Sequence, residues 1–190
     1  MKKLQYNSPV ILTFALLSLL SLLLGMVTGG ASTRMLFCVY RSSPLNPLTY
    51  LRLFTHVLGH AGWTHYISNM LLLLVVGPPL EEKYGSKPLL LGIALTALLT
   101  GLTQIVLFPD TALLGASGVV FMMIVLTSFS GMKNGRIPLT FLLVVALYLG
   151  QEIFAGITQS DHVSQLTHIL GGVTGGGLGF RLRKKKGGSA

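Results

Sequence analysis

The chain has 190 residues, of which 51% are apolar and only 10% charged, where a soluble domain carries roughly a quarter charged. A soluble fold of this size cannot hide that much apolar surface, and disorder needs low hydrophobicity. The net charge of +9 reads as membrane orientation rather than nucleic-acid binding, because Lys and Arg sit at the ends of apolar runs.

A membrane-crossing helix needs about 20 mostly apolar residues. Six such runs are predicted, over 9–29, 64–80, 88–108, 116–132, 137–157 and 165–181. The expected fold class is therefore all-α: a polytopic bundle of six transmembrane helices forming one domain over 1–190. The first run follows Met1-Lys2-Lys3, as a signal peptide would, but it is longer than a usual signal core and reads as a retained helix. With both termini in the cytoplasm, Lys2, Lys3, Lys83, Lys87, Lys133, Arg136 and the tail from Arg181 to Lys186 give 11 basic residues inside. Arg34, Arg41 and Arg52 are the 3 outside, which is the polarity the positive-inside rule demands.

Between the first two runs lies a long stretch, Gly30–Trp63, broken by Pro44 and Pro47. Long connections are often functional. Helical patterns around Met35–Tyr40 and Leu48–Leu58 suggest a loop partly embedded in the outer leaflet, where other protein must cover irregular backbone.

Polar residues inside apolar spans are costly and mark candidate sites. Gly115-Ala116-Ser117-Gly118 opens the fourth run. A serine among small residues is a common packing element. Standing alone the motif favours that packing reading; the chemical alternative is a nucleophile at a helix N-terminus, where free N–H groups stabilise an oxyanion. His168 is followed by Gly171 and Gly175 at i+3 and i+7, which lays a smooth strip along one helix face. A buried imidazole there is either a satisfied hydrogen-bonding group or a general base for a serine on a neighbouring helix. His65 and Asn69 stand at i and i+4 on one face and offer donors for an oxyanion hole. His56 and His60, with His65, raise a metal hypothesis. No His-Glu-x-x-His pattern accompanies them, and the single cysteine, Cys38, supplies no thiolate cluster; shaping of the loop backbone is the expected role. Glu152 and Asp161 are candidate acids, each with a plainer reading as a capped or surface carboxylate. Glu81, at the cytoplasmic end of the second helix, is expected to tie helix ends together.

Taken together, these residues resemble the rhomboid family of intramembrane serine proteases. His65-x-x-x-Asn69, Gly115-Ala116-Ser117-Gly118, His168-x-x-Gly171-x-x-x-Gly175 and Glu81 after Gly77-Pro78-Pro79-Leu80 follow the family's motifs in order, over roughly residues 45–180. The resemblance implies a Ser–His dyad with no acidic third member. Ser117 would be nucleophile and His168 general base, then acid. His65 and Asn69 would bind the oxyanion with the Ser117 amide, and Gly115, Gly118, Gly171 and Gly175 would let helices pack closely at the site. It implies no metal and no cofactor, a lipid bilayer as the medium, and transmembrane segments of other membrane proteins as substrates, cut near the outer face. Two positions depart from the family pattern: Leu51-Arg52 stands where many members have Trp-Arg, and Phe121 stands where many have Tyr, keeping a ring to stack on His168 without its hydroxyl. The competing function is a non-catalytic relative that binds or escorts membrane helices. The expected location is a plasma (inner) membrane, in a prokaryote.

Overall fold

The computed structural model describes residues 6–131 and 162–187, with positions 139, 142, 143 and 146 between them. The described chain is mainly helical. Helix α1 covers Pro9–Val27 and a short α2 covers Ala31–Leu36. Strand β1 is Val39–Tyr40, α3 is Pro47–Thr55, and a 3-10 turn follows at His56–Leu58. Then come α4 (Trp63–Tyr84), α5 (Ser86–Leu107), strand β2 (Ala112–Leu113), α6 (Ser117–Gly131) and α7 (His162–Gly187).

Among the described residues, α1 and α5 are the two helices long and apolar enough to cross a membrane by themselves. Helix α4 has 22 residues, but His65, Asn69 and Glu81–Lys83 dilute its hydropathy. Helix α6, described over Ser117–Gly131, is the centre of the core: Val119, Val120, Met122, Met123 and Leu126 are fully buried. The fifth expected run, 137–157, lies almost wholly outside the described residues, as do Gln151, Glu152 and Asp161.

Element boundaries shift for local reasons. Helix α1 stops at Val27 because Gly29 and Gly30 adopt positive φ, 59° and 88°, which glycine tolerates and helices do not. Helix α4 continues past Leu80 to Tyr84, carrying Pro78 and Pro79 inside it. Helix α7 runs from His162 to Gly187, longer at both ends than the expected 165–181.

The all-α expectation needs one correction. Residues 39 and 40, expected to be helical, form a strand that pairs antiparallel with β2, Val39 opposite Leu113 and Tyr40 opposite Ala112. A β-branched and an aromatic residue favour this geometry, yet two residues are too few to show a period. The pair fastens the first loop to the segment that leads into Ser117.

At the opposite end of the bundle, Glu81 is buried. Its carboxylate accepts the Val10 and Ile11 amides at 3.0 Å each and the Ser86 hydroxyl at 2.7 Å. Helix α1 has Pro9 at its first position and no side-chain cap of its own, so those two amides would otherwise be unsatisfied. A negative charge there also complements the helix dipole. One residue thus pins the starts of α1 and α5 to the end of α4. Glu81→Ala is expected to cost about 3 kcal/mol by orphaning buried donors, read as a clear fall in the thermal midpoint in detergent. An unchanged midpoint would remove Glu81 from the fold's supports.

Candidate active site

Ser117 is half-buried at the first position of α6. The first amide bonded back along this helix is Val120, to the Ala116 carbonyl at 2.9 Å. The amides of Ser117, Gly118 and Val119 precede it and have no acceptor within the helix. The turn before Ser117 depends on Gly115, whose φ of +127° disfavours any side chain and whose N–H donates to the His56 carbonyl at 3.0 Å.

His168 is 1% exposed and lies on α7, the helix packed most extensively on α6. The glycines explain the closeness. A Cβ on Gly171 would collide with the backbone carbonyl of Gly118, and one on Gly175 with the carbonyl of Met122. A Cβ on Gly118 would come within 2.9 Å of the Thr167 methyl. Ser117 adjoins Gly118, and His168 adjoins Thr167 and stands one turn before Gly171, so both side chains flank a close contact between the two helices. The Phe121 ring, one turn along α6, faces the His168 ring with centroids 6.0 Å apart and planes inclined by 54°.

His65 flanks the same turn. A Cβ on Gly115 would sit 2.8 Å from its Cε1 and Nε2, so the ring edge lies directly over the residue before Ala116-Ser117. The Ala61 amide donates to His65 Nδ1 at 3.4 Å. A nitrogen that accepts is unprotonated, which in the neutral ring leaves Nε2 as the N–H donor. Asn69 is buried one turn further along α4, and its Nδ2 donates to the His65 carbonyl at 2.9 Å.

The other two histidines brace the first loop. His56 Nδ1 donates to the Arg52 carbonyl at 3.0 Å, and its Nε2 lies 3.2 Å from the Thr100 hydroxyl on α5. Burial pushes its pKa down to about 4, so the ring is neutral near pH 7. His60 Nδ1 donates to the Leu58 carbonyl at 3.1 Å. Its ring meets those of His65 and Tyr66 edge-on, at 5.0 and 5.5 Å between centroids. Burial, with the nearby His65, holds its pKa down to about 4 as well. No group of three or more His, Cys, Asp or Glu that would hold a metal occurs among the described residues.

Arg52 is buried, donates from Nε to the Leu48 carbonyl at 2.9 Å, and stacks over the Tyr40 ring at 4.3 Å, whereas Leu51 points outward. Thr100 and Gln104 on α5 also serve this region. Gln104 Nε2 donates to the Phe108 carbonyl and the Thr111 hydroxyl at 3.0 and 2.9 Å, which shapes the turn towards β2. Neither is singled out by the motifs above, although both are polar residues in an apolar span and the same rule covers them.

Comparison with known proteins follows this geometry. The Rhomboid domain family model matches residues 47–185. The chain is 30% identical to Rhomboid-related protein 2 of Mus musculus over 159 residues, 72% of this chain and 52% of the mouse protein. It is 33% identical to Rhomboid-related protein 1 of Caenorhabditis elegans over 132 residues, 64% of this chain and 36% of the worm protein. The chain thus spans about half or less of the relatives' lengths. Their names state no activity.

Proposed function

Because the chain belongs to the rhomboid family, whose members are embedded in membranes, we propose that it is an intramembrane serine endopeptidase. It hydrolyses transmembrane segments of other membrane proteins near the outer face of the bilayer. The observation that carries this reading is the glycine-to-glycine contact of α6 and α7 beside Ser117 and His168, together with the family motif around each residue. A serine and a histidine beside so close a helix contact suit the roles of nucleophile and base, and this supports the reading.

In the proposed mechanism, His168 takes the Ser117 proton as Oγ attacks the scissile carbonyl. The tetrahedral intermediate's oxygen is received by the Ser117 amide and by the N–H of His65 Nε2, with Asn69 as a further donor. His168 then returns the proton to the leaving amine, and water repeats the sequence on the acyl-enzyme. Phe121 packs against the His168 ring at a tilt and limits its rotation. The dyad needs no third acid: a buried, laterally packed ring keeps its orientation without one. The bundle has six spans with both termini in the cytoplasm, in a plasma membrane.

The test is labelling of purified protein by a fluorescent fluorophosphonate. Wild type is expected to label and Ser117→Ala is not. Absence of label on both, with folding verified, would favour a non-catalytic binder of membrane helices. His65→Ala is expected to slow cleavage by about 100-fold, the usual loss for one oxyanion donor. An unaltered rate in a reporter assay would assign the oxyanion to other groups.

A further inference from the structure

Helix α4 carries Pro78 and Pro79 in its interior. Among the described residues, the other helical prolines are Pro9, Pro47 and Pro88, in the first turns of α1, α3 and α5. An amide there has no helical acceptor, so proline costs nothing. Pro78 and Pro79 are different. Each lacks the N–H that would bond to the carbonyl four residues back, so the carbonyls of Leu74 and Val75 lose their helical donors. No loop amide or side chain among the described residues replaces them.

The two acceptors sit at the middle of the helix and on its outward face. Leu74 and Val75 are the twelfth and thirteenth of 22 residues, about 15 Å from either end, which is the centre of a hydrocarbon layer about 30 Å thick. Trp63 and Tyr84 mark the two ends and are residue types of the membrane interface. Leu74 is 42% and Val75 64% exposed. Of the residues whose amides are missing, Pro78 is half-buried and Pro79 exposed. Leu71 and Ile67 continue the exposed stripe one and two turns above. The opposite side of α4 is the packed one: Met70, Leu73 and Leu80 are buried, and a Cβ on Gly77 would collide with Ile11. At mid-membrane depth no water reaches a bare carbonyl from the lipid side, and lipid tails carry no donor.

We infer that the outward face of α4 at Leu74–Pro79 is a docking site for a transmembrane helix of another membrane protein, one that carries a hydroxyl or carboxamide side chain (Ser, Thr, Asn or Gln) at the centre of its span. The side chain donates to the Leu74 or Val75 carbonyl, and the apolar flanks pack along Leu71 and Ile67. Polar side chains hold helices together in lipid. Here the acceptor is backbone, so its place on α4 is fixed and sets the depth at which the partner must carry its donor. The inference rests on α4 crossing the bilayer as proposed above, and not on the dyad.

The test is binding in liposomes, read by energy transfer between a label on the protein and one on an oligoleucine helix. The protein carries Ser117→Ala, so no peptide is cut and a failed dyad leaves the result unchanged. The peptides are all-Leu, one with a single Asn at the centre, and two with the Asn moved two turns towards either end, each diluted in lipid until it is monomeric alone. The central-Asn peptide is expected to bind about fivefold more tightly than all-Leu, the worth of one hydrogen bond between membrane helices, and the displaced-Asn peptides no better than all-Leu. Pro78→Ala combined with Pro79→Ala restores both amides and is expected to abolish the preference. Its thermal midpoint should hold or rise, because alanine suits a helix interior better than proline. The displaced peptides need no such variant and decide the matter if it fails to fold. Equal binding of the central-Asn and all-Leu peptides would overturn the site, as would a preference that follows the displaced Asn or survives in the folded double variant. Energy transfer between two copies of the protein, with no peptide bound, would overturn it in favour of self-association.

Discussion

Ser117→Ala is expected to reduce cleavage of a transmembrane reporter in liposomes by about 10⁴-fold or more, the scale on which serine proteases lose activity with their nucleophile. His168→Ala is expected to fall to the same floor, and the double variant no further, because the two act as a unit. Folding is expected to survive. Ser117 is the first residue of its helix and alanine is the best helix former, so the thermal midpoint of Ser117→Ala in detergent should match wild type. Substantial turnover by the alanine variant would end the serine mechanism. A graded loss at His168, well above the Ser117 floor, would mean that a different group takes the proton.

Gly171→Ala is expected to damage both fold and activity, although it adds one methyl group. That methyl would enter the space of the Gly118 carbonyl, a backbone atom on the opposite helix that has no rotamer to move to. Overpacking of this kind costs about 1–3 kcal/mol. The helices can relieve it only by separating, and a shift near 1 Å in a catalytic pair costs about 100-fold in rate. Gly176→Ala provides the control. A Cβ there meets nothing within 4 Å, so exchange of glycine for alanine in a helix should be neutral or gain up to about 1 kcal/mol. Thermal unfolding and reporter cleavage measured together separate the cases. Equal behaviour of the two variants would show that the close approach of α6 and α7 does not position the site.

Much of this layout is legible in the amino-acid order. Apolar run length marks α1, α5 and α6, because lipid and core both demand unbroken hydrophobicity. The strip His168, Gly171, Gly175 reads directly as a contact face, since small residues at i+3 and i+7 have one geometric consequence. Glu81 is legible as a tie between helix ends, but its partners are backbone amides of α1, and no side-chain pattern encodes those. The β1–β2 pair is illegible for a different reason. Its two short strands are separated by three helices and a 3-10 turn, and two residues cannot display periodicity. His56 shows the same limit: its contact with Thr100 crosses from the first loop to α5, a proximity that only the fold creates.

The pairing of Val39 and Tyr40 with Leu113 and Ala112 has a mechanical consequence. It makes the first loop and the turn before Ser117 one piece, so a displacement of that loop is carried through paired backbone to the start of α6. Anything that shifts the loop is then felt at Ser117 without touching it.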